Sequence, residues 1–138
     1  MSTNDLSQSE LKDITEFLTQ QLNELKEIES ELEKATIRYK GIRLLSREML
    51  SGEEDVIVSE LNARLLSTLT ITTTYVNALI EKVKHLPTKI LDILKQFYTQ
   101  CLSIINKFAN LFKIEEITLT ISSSPSLQIV FKPKPNNI

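Results

Sequence analysis

The sequence predicts a mainly α protein: an elongated three-helix bundle with a coiled-coil-like first helix and a C-terminal β-hairpin. Three observations predict it. Only two of the 138 residues are glycine and four are proline, so long uninterrupted elements are expected. Apolar residues recur every three or four positions from Leu11 to Phe112. From Ile117 onward that period drops to two. The boundaries that follow are a helical bundle over 1–113, a hairpin appendage over 114–132 and a flexible tail over 133–138.

The first helix opens on "SQSE". Ser7 can accept from the backbone N–H three residues on, and Glu10 can reach back to Ser7, which is the capping box of a helix start. A heptad pattern follows. One seam position holds Leu11, Leu18, Leu25, Leu32 and Tyr39, and the other holds Ile14, Gln21, Ile28, Ala35 and Ile42. Flanking positions carry Glu10, Glu24, Glu31 and Arg38, while Phe17 and Leu22 widen the stripe. A two-stranded coiled coil prefers a narrower seam, so the width predicts packing against two other helices. Gly41 weakens the run, but Ile42, Leu45 and Met49 keep its phase. A helix from Ser7 to Leu50 would be about 65 Å long. In "SGEED", Gly52 can end it, and Ser51, Glu54 and the neighbouring acids suit the start of the next.

The second helix is expected from about 54 to 85. Val58, Leu61, Leu65, Leu69, Val76, Leu79, Val83 and Leu86 keep helical spacing when Thr72 fills the gap. "STLTITTTY" (67–75) competes with this, because its β-branched residues prefer strands and it also alternates. A strand or hairpin within 56–75 between two long helices would resemble a prefoldin subunit in outline, implying a chaperone role. Prefoldin hairpins carry turn glycines; none occurs here after Gly52, and this chain does not end in a helix, so the family is not assigned.

Pro87 separates the third helix, expected over Thr88–Lys113. Ile90, Leu94, Phe97, Cys101, Ile104, Phe108 and Leu111 step by four and three, with Leu91, Tyr98, Ile105 and Phe112 beside them. A stripe this wide belongs in a bundle core. Then Ile117, Leu119 and Ile121 share one strand face, "SSSPS" turns the chain, and Leu127, Ile129 and Phe131 share another face. An isolated two-stranded hairpin is marginal in water, and its outer edges expose backbone N–H and C=O groups. Folding back on the chain's own helices covers the apolar face alone. Joining another subunit's hairpin, or a partner's sheet, covers face and edges together, so the sequence favours the second. Glu115 and Glu116 can pair with Lys132 and Lys134 across the hairpin's open end.

Little in the sequence points to chemistry. One histidine, His85, and one cysteine, Cys101, leave no disulfide framework, no multi-Cys zinc site and no histidine pair. His85 suits the C-terminal end of a helix, and Cys101 sits on a core seam where an inert thiol is expected. Glu27, Glu29, Glu31 and Glu33 read as a solvated face, because the Glu-x-x-His sets of a di-metal bundle are absent. A glycine-rich phosphate loop is excluded. No catalytic, cofactor-binding or metal residue is assigned, and the protein is expected not to be an enzyme.

Residues 1–60 hold 14 acidic and 7 basic side chains, and residues 61–138 hold 4 acidic and 9 basic. The simpler reading is that the halves fold against each other. The sharper one sets Lys82, Lys84, Lys89, Lys95, Lys107 and Lys113 as a band facing a nucleic acid or an anionic membrane. With no signal peptide and no apolar span, a cytoplasmic protein is expected. The sequence thus predicts a non-enzymatic assembly module that homo-oligomerises through its coiled-coil helix, its hairpin or both, with a heterologous protein as a further candidate partner. Its contact residues would be Leu11, Leu18, Leu25 and Leu32 on the seam, and Ile117, Leu119, Ile121, Leu127, Ile129 and Phe131 on the hairpin.

Overall fold

The structure is a computed structural model that describes residues 6–43, 53–83, 85–108, 114–120 and 126–131. Three helices precede two strands: α1 (Gln8–Arg43), α2 (Glu53–Lys82), α3 (Thr88–Lys107), β1 (Ile114–Thr120) and β2 (Ser126–Phe131). The chain is therefore mainly helical with a two-stranded antiparallel hairpin.

The capping box forms as the sequence predicts. The Ser7 N–H donates to Glu10 Oε1 at 3.1 Å, and the Glu10 N–H donates to Ser7 Oγ at 3.1 Å. These bonds, the backbone one first, hold the Glu10 carboxyl below its usual range. α1 runs 36 residues, about 54 Å, and passes through Gly41 without a break. Residues 44–52, including Met49, Leu50, Ser51 and Gly52, lie outside the described residues.

α2 is helical throughout 67–75, so the strand alternative does not hold, nor does the prefoldin-like outline that depended on it. Two features reconcile the threonines with a helix. Thr68 Oγ1 donates to the Arg64 carbonyl at 2.8 Å and Thr73 Oγ1 to the Leu69 carbonyl at 2.7 Å, each closing on its own turn. Leu65, Leu69 and Val76 are fully buried on one face, and that packing outweighs intrinsic propensity. α3 begins directly after Pro87, whose carbonyl accepts from Ile90 and Leu91. It stops at Lys107, six residues before the expected end, with Phe108 as its C-cap. Leu111, Phe112 and Lys113 lie outside the described residues.

α1 packs against both α2 and α3, as its wide stripe requires. One apolar cluster joins Leu25, Ile28 and Leu32 of α1 to Leu61, Leu65 and Leu69 of α2 and to Phe97, Cys101 and Ile104 of α3. The other joins Ile14 and Leu18 to Val76, Leu79 and Val83 and to Ile90 and Leu94. Early α1 thus meets late α2 and early α3, so α1 runs antiparallel to α2 and parallel to α3. Stacking of Phe17 on Tyr75, with ring centroids 4.1 Å apart, ties α1 to α2 in the second cluster. The two polar seam residues, Gln21 between Leu18 and Leu25 and Thr72 between Leu69 and Val76, fall where the clusters divide.

β1 lies on α3 and β2 on α2. Ile117 and Leu127 are 5% and 3% exposed and belong to the first cluster, while Leu119 packs partly against both. This corrects the favoured expectation that another subunit covers the hairpin's face. The helices of the same chain cover it, because α2 and α3 leave an apolar side that α1 does not close. Ile117 pairs with Ile129 and Leu119 with Leu127, as the alternation requires. A register shift between Ile114 and Glu116 sets Ile114, rather than Glu115, opposite Phe131. Ile121, the turn and the tail from Lys132 lie outside the described residues, and with them the expected pairing of Glu115 and Glu116 to Lys132 and Lys134.

Candidate functional site: the hairpin and its edges

The seam residues expected to meet another chain are occupied at home. Leu18, Leu25 and Leu32 are 0% exposed inside the chain's own core, and Leu11 is half-buried against the second cluster. Ile117 and Leu127 are likewise buried, and Ile129 and Phe131 hold register positions in β2. Removing any of these buried side chains to another subunit would open the monomer.

What the hairpin leaves outward is its polar face and its two edges. Thr120, Ser126 and Gln128 are exposed on the outer face, with Thr118 half-buried beside them. Thr118 stands opposite Gln128, and Thr120 opposite Ser126. Among the described residues no third strand joins the sheet. The buried face fixes the hairpin on the helices, so its outer edges are held in strand geometry.

The acidic run that reads as a solvated face is instead divided between two helix contacts. Arg64 of α2 donates from Nε to Glu24 at 2.8 Å and from Nη1 to Glu31, with Glu27 at 3.7 Å from Nη2. The hydrogen bond to Glu24 leads the forces that raise the Arg64 pKa, partly offset by burial. On the other side, Ser103 Oγ donates to Glu29 at 2.9 Å, and Lys107 Nζ lies 3.2 Å from Glu33 and 3.6 Å from Glu29. The equal sequence offset of both contacts, 74 residues, sets the parallel register of α1 and α3. Sequence reading placed Glu24 and Glu31 on the flank and noted the charge imbalance, but did not connect them to Arg64 or Lys107. An acid repeated seven residues apart beside an apolar seam was the available signal.

Arg64 also divides the groove between α1 and α2 into two open depressions of about 370 and 560 Å³. Cys101 is buried, and that burial pushes its thiol pKa well above the ordinary range, away from nucleophilic use. His85 is exposed between α2 and α3. Among the described residues no group of three or more His, Cys, Asp or Glu side chains is placed to hold a metal ion, and no helix is long and apolar enough to cross a membrane.

No family model matches the chain, and no curated protein and no solved structure is similar enough to it to count as a match.

Proposed function

We propose that this protein is a non-enzymatic assembly module that joins copies of itself through the edges of its C-terminal hairpin. In this reading the helices form one elongated bundle with α1 as a coiled-coil-like spine, and the bundle serves to present the hairpin. The supporting observation is the pairing of opposites in β1 and β2: an inner face buried against α2 and α3, and edges that no third strand joins among the described residues. Strand addition would satisfy those edges without disturbing the core.

The lysine-band alternative receives less support. Lys82, Lys89 and Lys95 are exposed, but Lys107 is engaged with Glu29 and Glu33, which shortens the band and lowers its field.

Native mass by light scattering tests the proposal, comparing the full chain with a Thr120→Lys/Gln128→Lys variant. Both positions are exposed, so the fold should survive, while outward lysines on both strands repel those of an approaching hairpin. The full chain should be an oligomer and the variant a monomer with the same helical content. Equal masses for the two proteins would sink the proposal.

A further inference from the structure

The outward face of α2 carries the longest charge-free stretch among the described helix residues. Residues 65–80 contain no charged side chain. By contrast, α1 exposes Lys12, Asp13, Glu16, Lys26 and Glu27, and α3 exposes Lys89, Asp92 and Lys95. At helical spacing, Val56, Glu60, Ala63, Ser67, Ile71, Thr74 and Ala78 fall on one side of α2, where Glu60, Ala63, Ser67 and Ile71 border the groove with α1. All seven are exposed. Val56 and Ile71, at 57% and 47%, are the exposed large apolar side chains of the described residues, and both lie here. Ala63, Ser67 and Ala78 are small enough to let another backbone come close.

We propose that a second copy of this chain docks its own α2 on this face, antiparallel, with Ile71 at the two-fold axis. The choice of occupant comes from charge. With Ile71 at the centre, a residue eleven positions before it faces one eleven positions after it. That sets Glu60 of each copy opposite Lys82 of the other. Both are exposed and lie within about 20° of Ile71 around the helix. Among the described residues neither forms an ion pair, and the Lys82 charge acts on Glu10 of its own chain at longer range. At a shallow crossing of about 20° the two side chains can reach each other at both ends of the contact. The symmetric pairing thus flanks the uncharged stretch 65–80 with two opposite-charge pairs, while Arg64, on the same side of α2, stays bound to Glu24 and Glu31 of its own chain.

The area sets the strength. Residues 60–82 span about 33 Å, and a strip of about 10 Å width buries about 330 Å² per copy, well under the roughly 800 Å² per partner of a standard interface. The contact is weak and is independent of the hairpin edges.

Sedimentation equilibrium up to millimolar concentration tests it on the intact chain carrying Thr120→Lys and Gln128→Lys, so that hairpin pairing does not contribute. A reversible dimer is expected. Ile71→Lys should weaken it at least tenfold without lowering the melting temperature, since Ile71 is half outside the core. Glu60→Lys and Lys82→Glu should each weaken it about three- to tenfold, and the two together should restore it. A chain that stays monomeric throughout would overturn the proposal. So would a dimer indifferent to Ile71→Lys, or a double swap no better than either single one. Loss of the hairpin-dependent oligomer alone would leave these results unchanged, so the two assembly surfaces fail separately.

Discussion

Leu127→Ala probes whether the hairpin belongs to the core of its own chain. Leu127 is 3% exposed and touches the cluster built by α1, α2 and α3. Truncating a buried leucine costs about 2–5 kcal/mol, the spread reflecting how far the site collapses. A hairpin can settle toward the helices more easily than a helix can, so about 3 kcal/mol is expected. For 138 residues, an unfolding entropy of about 2.1 cal/mol/K per residue makes this a fall of about 10 °C in Tm. Gln128→Ala supplies the control: its side chain is exposed on the opposite face, and its effect should stay within about 0.5 kcal/mol. Urea unfolding followed by circular dichroism, at two protein concentrations tenfold apart, reads both. If Leu127→Ala costs no more than Gln128→Ala, the hairpin does not pack on the helices. If its cost appears only at the higher concentration, the leucine is buried between subunits rather than within one.

Three further outcomes follow from single residues. Thr72 Oγ1 is buried with no hydrogen-bond partner among the described residues, so Thr72→Val should raise stability by about 1 kcal/mol, near 3 °C, in the same unfolding assay. The bonds from Ser7 hold the folded Glu10 pKa below its unfolded value, so the stability its charge adds is present above the unfolded pKa and is lost as pH falls through the lower folded one; the melting difference between the wild type and Glu10→Gln should therefore shrink on acidification, and a difference that grows would contradict the capping role. Cys101, buried and with its thiol pKa raised by that burial, should react with a thiol reagent only as fast as the chain opens, and in urea at once.

The helices were legible because each buries a stripe that repeats at the helical period. Leu11 to Leu32, Leu61 to Val83 and Ile90 to Ile104 mark their core faces without any tertiary information. The strand pairing was legible for the same reason at period two, and the observed register aligns Ile117 with Ile129. The segment 67–75 was ambiguous because threonine and isoleucine carry both periods, and only the burial of Leu69 and Thr72 on one face decides it. The side that covers the hairpin was not legible. An alternating strand shows that a face must be covered, but the open side between α2 and α3 exists only once the three helices are packed. The role of Glu29 escaped for a similar reason: its partners, Ser103 and Lys107, lie more than seventy residues away.

Edge pairing of the hairpin is tested most directly by amide hydrogen exchange of the full chain across a dilution series. Pairing predicts that the outward amides of β1 and β2 gain protection as concentration rises, while helix amides with partners inside α1, α2 and α3 exchange at constant rates. Outward amides whose exchange is the same at every concentration, over a range where the native mass changes, would contradict it.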